Sequence, residues 1–237
     1  MFVIKQILYR RVNMKKIVRN VRRMVTLGMV LLCALGLGGC IDDDCDESNN
    51  SNPGVAYKPV IYLYPEEEME VSVKLDYDGT FTSTYPAYED GWKVMAKPDG
   101  TLYSEESGRE YYCLFWEGIS DTEYDLSKGF VVPGDETEAF LEDALAKLGL
   151  TEKETNEFII FWMPQMEHNK YNYISFQGDA YTDSAKLDVS PTPDTVIRVF
   201  MVWQGLDESM DIEPQVLEPV ERKGFTVVEW GGSEIEK

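Results

Sequence analysis

A strict two-residue alternation runs from Met69 to Leu75. Met69, Val71, Val73 and Leu75 share one side, and Glu70, Ser72 and Lys74 share the other. Only an extended strand with one wet face places those residues so. Other short strand-forming runs surround it: Val60-Ile61-Tyr62-Leu63-Tyr64, stopped by Pro65, then Thr80 to Tyr85, Trp92 to Ala96, Leu102-Tyr103, and Glu110 to Trp116. Turn chemistry separates them. Asp76-Tyr77-Asp78-Gly79 supplies one turn. Pro98-Asp99-Gly100 supplies another, where proline presets one torsion and glycine accepts a positive one. Closely spaced short strands of this kind predict an antiparallel sandwich or meander.

The pattern then changes period. Asp135-Glu136-Thr137-Glu138 has the form of a capping box, and Phe140, Leu141, Ala144, Leu145 and Leu148 follow at helical spacing until Gly149. Thr151-Glu152-Lys153-Glu154 repeats the box and predicts a second, shorter helix. Strand signals return at Phe158 to Met163 and Tyr171 to Phe176, joined by a hairpin at Glu167-His168-Asn169-Lys170. Thr195 to Trp203 is almost continuously apolar and predicts a central strand; Phe225 to Trp230 predicts the last, before Gly231-Gly232. No internal repeat and no βαβ series is visible. The predicted class is α+β, mainly β, with a helical pair inserted near 135–157.

The N-terminal region is of another kind. Residues 1–39 carry eight Lys or Arg and no acid, and Val25 to Leu37 is an apolar run of 13 residues. That run is too short to cross a bilayer as a helix, which takes about 20 residues. A basic segment, a short apolar segment and small residues before a cysteine have the layout of a secretory leader. Leu37-Gly38-Gly39-Cys40 resembles the lipobox of bacterial lipoproteins. The resemblance implies cleavage before Cys40, diacylglycerol on that cysteine, and an extracytoplasmic domain held at the bacterial cell membrane. Met14-Lys15-Lys16 is the expected true start. Two acyl chains anchor stably where one binds marginally. The membrane itself is therefore the first expected partner.

Residues 41–54 contain almost nothing to bury and read as a disordered acidic tether, with the folded body from Tyr57 to Lys237 as a single domain, divisible near 118–134. Without residues 1–39 the chain has 14 basic against 43 acidic side chains, a net charge of −29. Nucleic acid would be repelled, so it is not an expected partner. Cys45 and Cys113 permit one disulfide, yet Cys45 lies in the tether, so an unpaired Cys45 and a buried Cys113 thiol are the expectation.

Within the body, Lys58-Pro59-Val60-Ile61-Tyr62-Leu63-Tyr64-Pro65, Gly129-Phe130-Val131-Val132 and Gly224-Phe225-Thr226-Val227-Val228-Glu229-Trp230-Gly231-Gly232 resemble a group of uncharacterised bacterial lipoproteins. That resemblance implies one coherent domain and no particular chemistry.

Catalytic signals are sparse. His168, the only histidine, sits in a polar turn, which excludes a histidine-rich zinc site; no metal site and no cofactor are expected. No Gly-x-Ser-x-Gly elbow and no phosphate-cradling loop is present. Glu117 and Glu229 each lie beside a tryptophan and a glycine at a strand end, a pairing that a carbohydrate-active hydrolase would use if the two carboxylates met. Aromatic side chains offer a broader theme. Tyr62, Tyr64, Trp92, Trp116 and Trp230, flanked by carboxylates, suit sugar rings or cationic groups. The expected role is a binding or interaction module at the cell envelope, with a glycan or an envelope protein as ligand. A carbohydrate-active hydrolase and a transporter-associated solute-binding lipoprotein are the alternatives.

Overall fold

The computed structural model describes residues 54–235; Cys40, Cys45, the expected leader and most of the expected tether lie outside them. The expected mainly-β α+β class is what the chain adopts. A seven-stranded sheet contains β1 (Gly54–Tyr64), β3 (Thr80–Tyr85), β7 (Leu114–Ser120), β8 (Phe130–Pro133), β9 (Tyr171–Gln177), β11 (Thr195–Leu206) and β12 (Thr226–Glu234). Its order is β3-β7-β1-β12-β11-β9-β8. A five-stranded sheet, ordered β10-β2-β4-β5-β6, contains β2 (Met69–Tyr77), β4 (Trp92–Ala96), β5 (Leu102–Ser104), β6 (Arg109–Tyr111) and β10 (Ala185–Ser190).

Three layers result. The two sheets enclose one core, including Val71, Val73 and Val94 from the small sheet and Ile61, Leu63 and Phe200 from the large one. The opposite face of the large sheet packs on α1 (Thr137–Lys147) and α2 (Glu152–Met166), with Val60, Ile174, Val199 and Val228 meeting Leu141, Leu145, Phe158 and Trp162. The large sheet's middle strands are therefore dry on both faces, which explains the unbroken apolar runs in β1, β11 and β12. β2, wet on one face, keeps its alternation.

Several local expectations change. Phe158 to Met163 is not a strand but the middle of α2, so Glu167 to Lys170 joins a helix to a strand rather than closing a hairpin. Its aromatic and β-branched content favours extension. The helix prevails because Thr155, Phe158, Trp162 and Met166 recur a turn apart and bury together, leaving Ile160 74% exposed. Thr151 and Glu154 form a complete capping box: Glu154 N–H donates to Thr151 Oγ1 at 3.4 Å, and Thr151 N–H donates to Glu154 Oε2 at 2.8 Å. The expected box at Asp135 does not form, because Gly134–Glu136 makes a 3-10 turn and α1 starts at Thr137 without a side-chain cap.

The run from Glu110 to Trp116 divides between β6 and β7, since the chain leaves the small sheet for the large one at Tyr112-Cys113. β12 continues through Gly231-Gly232 instead of ending there. A Cβ on Gly232 would lie 2.7 Å from the Trp162 ring, so only glycine lets α2 come that close. The short edge strands β8 and β10 and the six-residue helix α3 (Asp179–Ser184) carry too few residues to show a period.

One pairing departs from the antiparallel scheme. β11 and β12 run parallel, so residues 207–225 must return the chain along the molecule. This strap pairs Glu213 with Lys128 beside β8, and its Gln215 amide exchanges hydrogen bonds of 2.8 and 2.9 Å with the Phe176 backbone. It then passes the α1–α2 turn, where Gly149 has φ +91° and Val220 lies 3.2 Å from any added Cβ. Among the described residues no helix is long and apolar enough to cross a membrane.

Candidate aromatic–carboxylate site on strand β1

Alternation along β1 sends Ile61 and Leu63 into the inter-sheet core and Val60, Tyr62 and Tyr64 toward the helices. The Tyr62 and Tyr64 rings lie parallel, centroids 6.2 Å apart, with Tyr112 6.5 Å from Tyr62. Tyr62 is buried, Tyr64 is half-buried and Tyr112 is 56% exposed, so this row of rings leads from the core to solvent.

Charged groups edge the row. Tyr62 donates its hydroxyl proton to Glu157 at 2.5 Å. Burial, reinforced by that hydrogen bond, pushes the Tyr62 phenol far above its ordinary range. Burial, followed by the charge of Glu154, does the same to Tyr64. Glu154 is fully buried and bound by the Arg222 guanidinium, which also lies 5.7 Å from the Tyr64 ring centroid. Arg222 Nε donates to the Gly149 carbonyl at 2.9 Å, tying the strap to the helical pair.

Lys58 completes the arrangement through an unusual backbone. Both ladders of β1 shift register around it, and its φ of 53° is left-handed. A bulge of this kind re-aims a side chain. Here it places the ammonium 4.7 Å from the Phe161 centroid and 5.4 Å from that of Trp230, within cation–π range. The site thus offers ring faces, carboxylates and two cations in a small space. The Cys113 thiol beside it is not activated, because burial and then Glu157 push it up to about 12.

The five aromatic candidates separate into two groups. Tyr62, Tyr64 and Trp230 meet on the helical face. Trp92 and Trp116 lie in the inter-sheet core, where Trp92 Nε1 donates to the Pro86 carbonyl at 2.9 Å.

Glu117 and Glu229 separate as well. Trp116 Nε1 donates to Glu229 at 3.0 Å in the inter-sheet core, and Arg198 Nε binds the same carboxylate at 2.6 Å. The Arg198 guanidinium lies 4.8 Å from the Tyr181 ring centroid. Burial and then Glu229 hold the Tyr181 phenol well above its usual range. Glu117, one residue beyond Trp116, points to the opposite face and accepts from the Lys58 backbone N–H at 3.3 Å. The sheet itself therefore stands between the two carboxylates.

Sequence reading overlooked Glu154, Glu157 and Arg222. A signal existed for the first two, since a capping box puts Glu154 on α2 and Glu157 one turn later on the same side. None existed for Arg222, which arrives from 68 residues away. Among the described residues, no group of three or more His, Cys, Asp or Glu side chains is arranged to hold a metal.

Comparison with known proteins yields one informative relative. The chain is 40% identical over 102 residues to an "Uncharacterized protein in bglA 3'region" of Butyrivibrio fibrisolvens, a match spanning 42% of this chain and 98% of the relative. The chain belongs to the family of that protein. No family model and no solved structure matches it.

Proposed function

We propose, with membership of that uncharacterised family as the premise, that this protein is a lipid-anchored extracytoplasmic binding module that holds a glycan on the aromatic row of β1. Its export and anchor rest on the leader-like residues 1–39 and the lipobox-like Leu37-Gly38-Gly39-Cys40. Residues 41–53 act as an acidic spacer between the membrane face and the domain.

The observation that carries the reading is the ring row in which buried Tyr62 stands between half-buried Tyr64 and exposed Tyr112, edged by Glu157 and by the Arg222–Glu154 pair. Ring faces pack against the C–H face of a sugar, while carboxylates and a guanidinium accept and donate to its hydroxyls. Holding Tyr62 and Tyr64 parallel before a ligand arrives lowers the ordering cost of binding.

Two experiments test this. Mass spectrometry of the N-terminal peptide from native membranes is expected to find diacylglycerol on Cys40; an unmodified cysteine there would defeat the anchor. A glycan array probed with the full chain in detergent micelles is expected to show saturable binding that Tyr112→Ala removes. Failure to bind any glycan, or binding indifferent to Tyr112, would defeat the sugar reading.

A further inference from the structure

We propose that the free edge of β8 accepts an extended, basic segment of another protein as an added strand. β8 ends the large sheet, with β9 on one side and no strand on the other. Gly129 N–H points to that open side, donating to the Glu213 carbonyl at 2.9 Å. Backbone groups in a strand repeat their direction every second residue, so the N–H and C=O of Val131 point the same way. Apart from the strand ladder, neither has a partner among the described residues. An edge of this sort is a template for pairing.

The surroundings form a receptacle. The strap is pinned to the sheet at Glu213 and Gln215, but Ser209 to Ile212 stand away from β8 and leave an open groove of about 910 Å³. Neighbouring strands lie about 4.8 Å apart, so an added strand would run along the β8 wall of this groove. Phe130 and Phe140, their centroids 5.0 Å apart, give it an apolar floor, and Met210 is 46% exposed at its lip.

Charge selects the occupant. Asp135, Glu136, Asp143 and Asp211 line the groove, and its lining has no Lys, Arg or His. Asp143 is held by Lys147 at 2.5 Å, and Lys128, at one end, is held by Glu213 at 2.6 Å. Asp135, Glu136 and Asp211 form no ion pair among the described residues and are exposed. A second copy of this chain is disfavoured, because two such grooves would bring acid against acid. A peptide alternating basic and apolar residues satisfies the edge, the floor and the rim together. This site lies on the opposite edge of the sheet from β3, three strands beyond β12, and does not depend on the glycan reading.

The test uses the full chain in detergent micelles and a fluorescent octapeptide alternating lysine and leucine. Saturable binding is expected, together with slowed hydrogen exchange at the Val131 amide. Val131→Pro removes an outward N–H while sparing the ladder to β9, as proline does on edge strands. It is expected to weaken binding by about tenfold or more. A backbone N-methylated peptide should bind as poorly, which keeps the test decisive if Val131→Pro fails to fold. Asp135→Asn, Glu136→Gln and Asp211→Asn combined should weaken binding severalfold and flatten its salt dependence. Tyr112→Ala should leave it unchanged.

No saturable binding would overturn the proposal and leave a short edge that its acids merely protect. Equal binding of the N-methylated peptide or of a glutamate–leucine peptide would overturn it too. So would concentration-dependent dimerisation abolished by Val131→Pro, since the edge would then belong to a second copy.

Discussion

Two arginine–glutamate pairs sit on opposite faces of the same sheet and differ in what surrounds them. Arg198–Glu229 is closed in between the sheets, with side chains 10% and 0% exposed, and Trp116 and Tyr181 complete its surroundings. Arg222–Glu154 lies on the helical face, where the arginine is 25% exposed and borders the aromatic row that reaches solvent at Tyr112. A charge pair without access can only organise the core. The same chemistry beside an open row of rings can also meet a ligand. Access, more than residue type, separates the two pairs.

The largest expected effect comes from the sealed pair. Glu229→Ala leaves Arg198 uncompensated and should cost about 3–5 kcal/mol in denaturant unfolding. Arg198→Met with Glu229→Leu should recover most of that loss, because two apolar side chains avoid the desolvation of both ions. A cost below about 1 kcal/mol for the single change would mean that water reaches the pair, and the contrast would collapse.

Arg222→Ala is expected to be milder in stability, about 1.5–3 kcal/mol, since Glu154 keeps the Thr151 N–H as a partner. Unlike Glu229→Ala, it should also impair glycan binding to the folded protein. Equal binding by the variant would remove the open pair from the site.

Cys113 sharpens the comparison through pH. Its thiol is pushed up to about 12 by burial and then by Glu157, while an unfolded thiol titrates near 8.5. The native state thus holds a proton that the unfolded state releases, so this contribution is complete below about pH 8.5 and is lost as pH rises toward 12. Midpoints of thermal unfolding should fall across that window, less so in Cys113→Ala once its own packing loss is subtracted. At pH 8, iodoacetamide should label Cys113 only after unfolding; rapid labelling of the native protein would show that solvent reaches the helical face there.

The smallest effect separates the two helix starts. Thr151→Ala should cost about 1 kcal/mol, because it removes the oxygen that accepts from Glu154 N–H. Asp135→Ala should change unfolding by less than about 0.5 kcal/mol, since that side chain is exposed and caps no helix.

Legibility followed the length over which a local rule could act. Met69 to Leu75 spans enough residues to declare one wet face, and β2 forms there. Thr151 and Glu154 satisfy each other within one turn, so that box was readable. Asp135 shows the same spacing, but Pro133 and Gly134 hold the backbone in a tighter turn first. The six residues from Phe158 prefer extension locally, and only the sheet beneath them rewards a helix. Tyr62 and Tyr64 were legible as ring candidates because alternation puts both on one face. Glu157 was legible only as a residue on the capped side of α2, and Arg222 not at all, since no rule within one chain segment tells which strand a helix or a strap will land against.

The sequence by itself determined the mainly-β class, the presence of a helical pair, the paired rings of β1 and the strong negative charge, because each depends on short-range periodicity or simple composition. Tertiary structure alone decided that Glu117 and Glu229 stand on opposite faces, that Trp116 serves the core, and that β8 keeps an open acidic edge. The physical reason is common to all three. Face, depth and access belong to the sheet, and a sheet exists only once distant strands have paired.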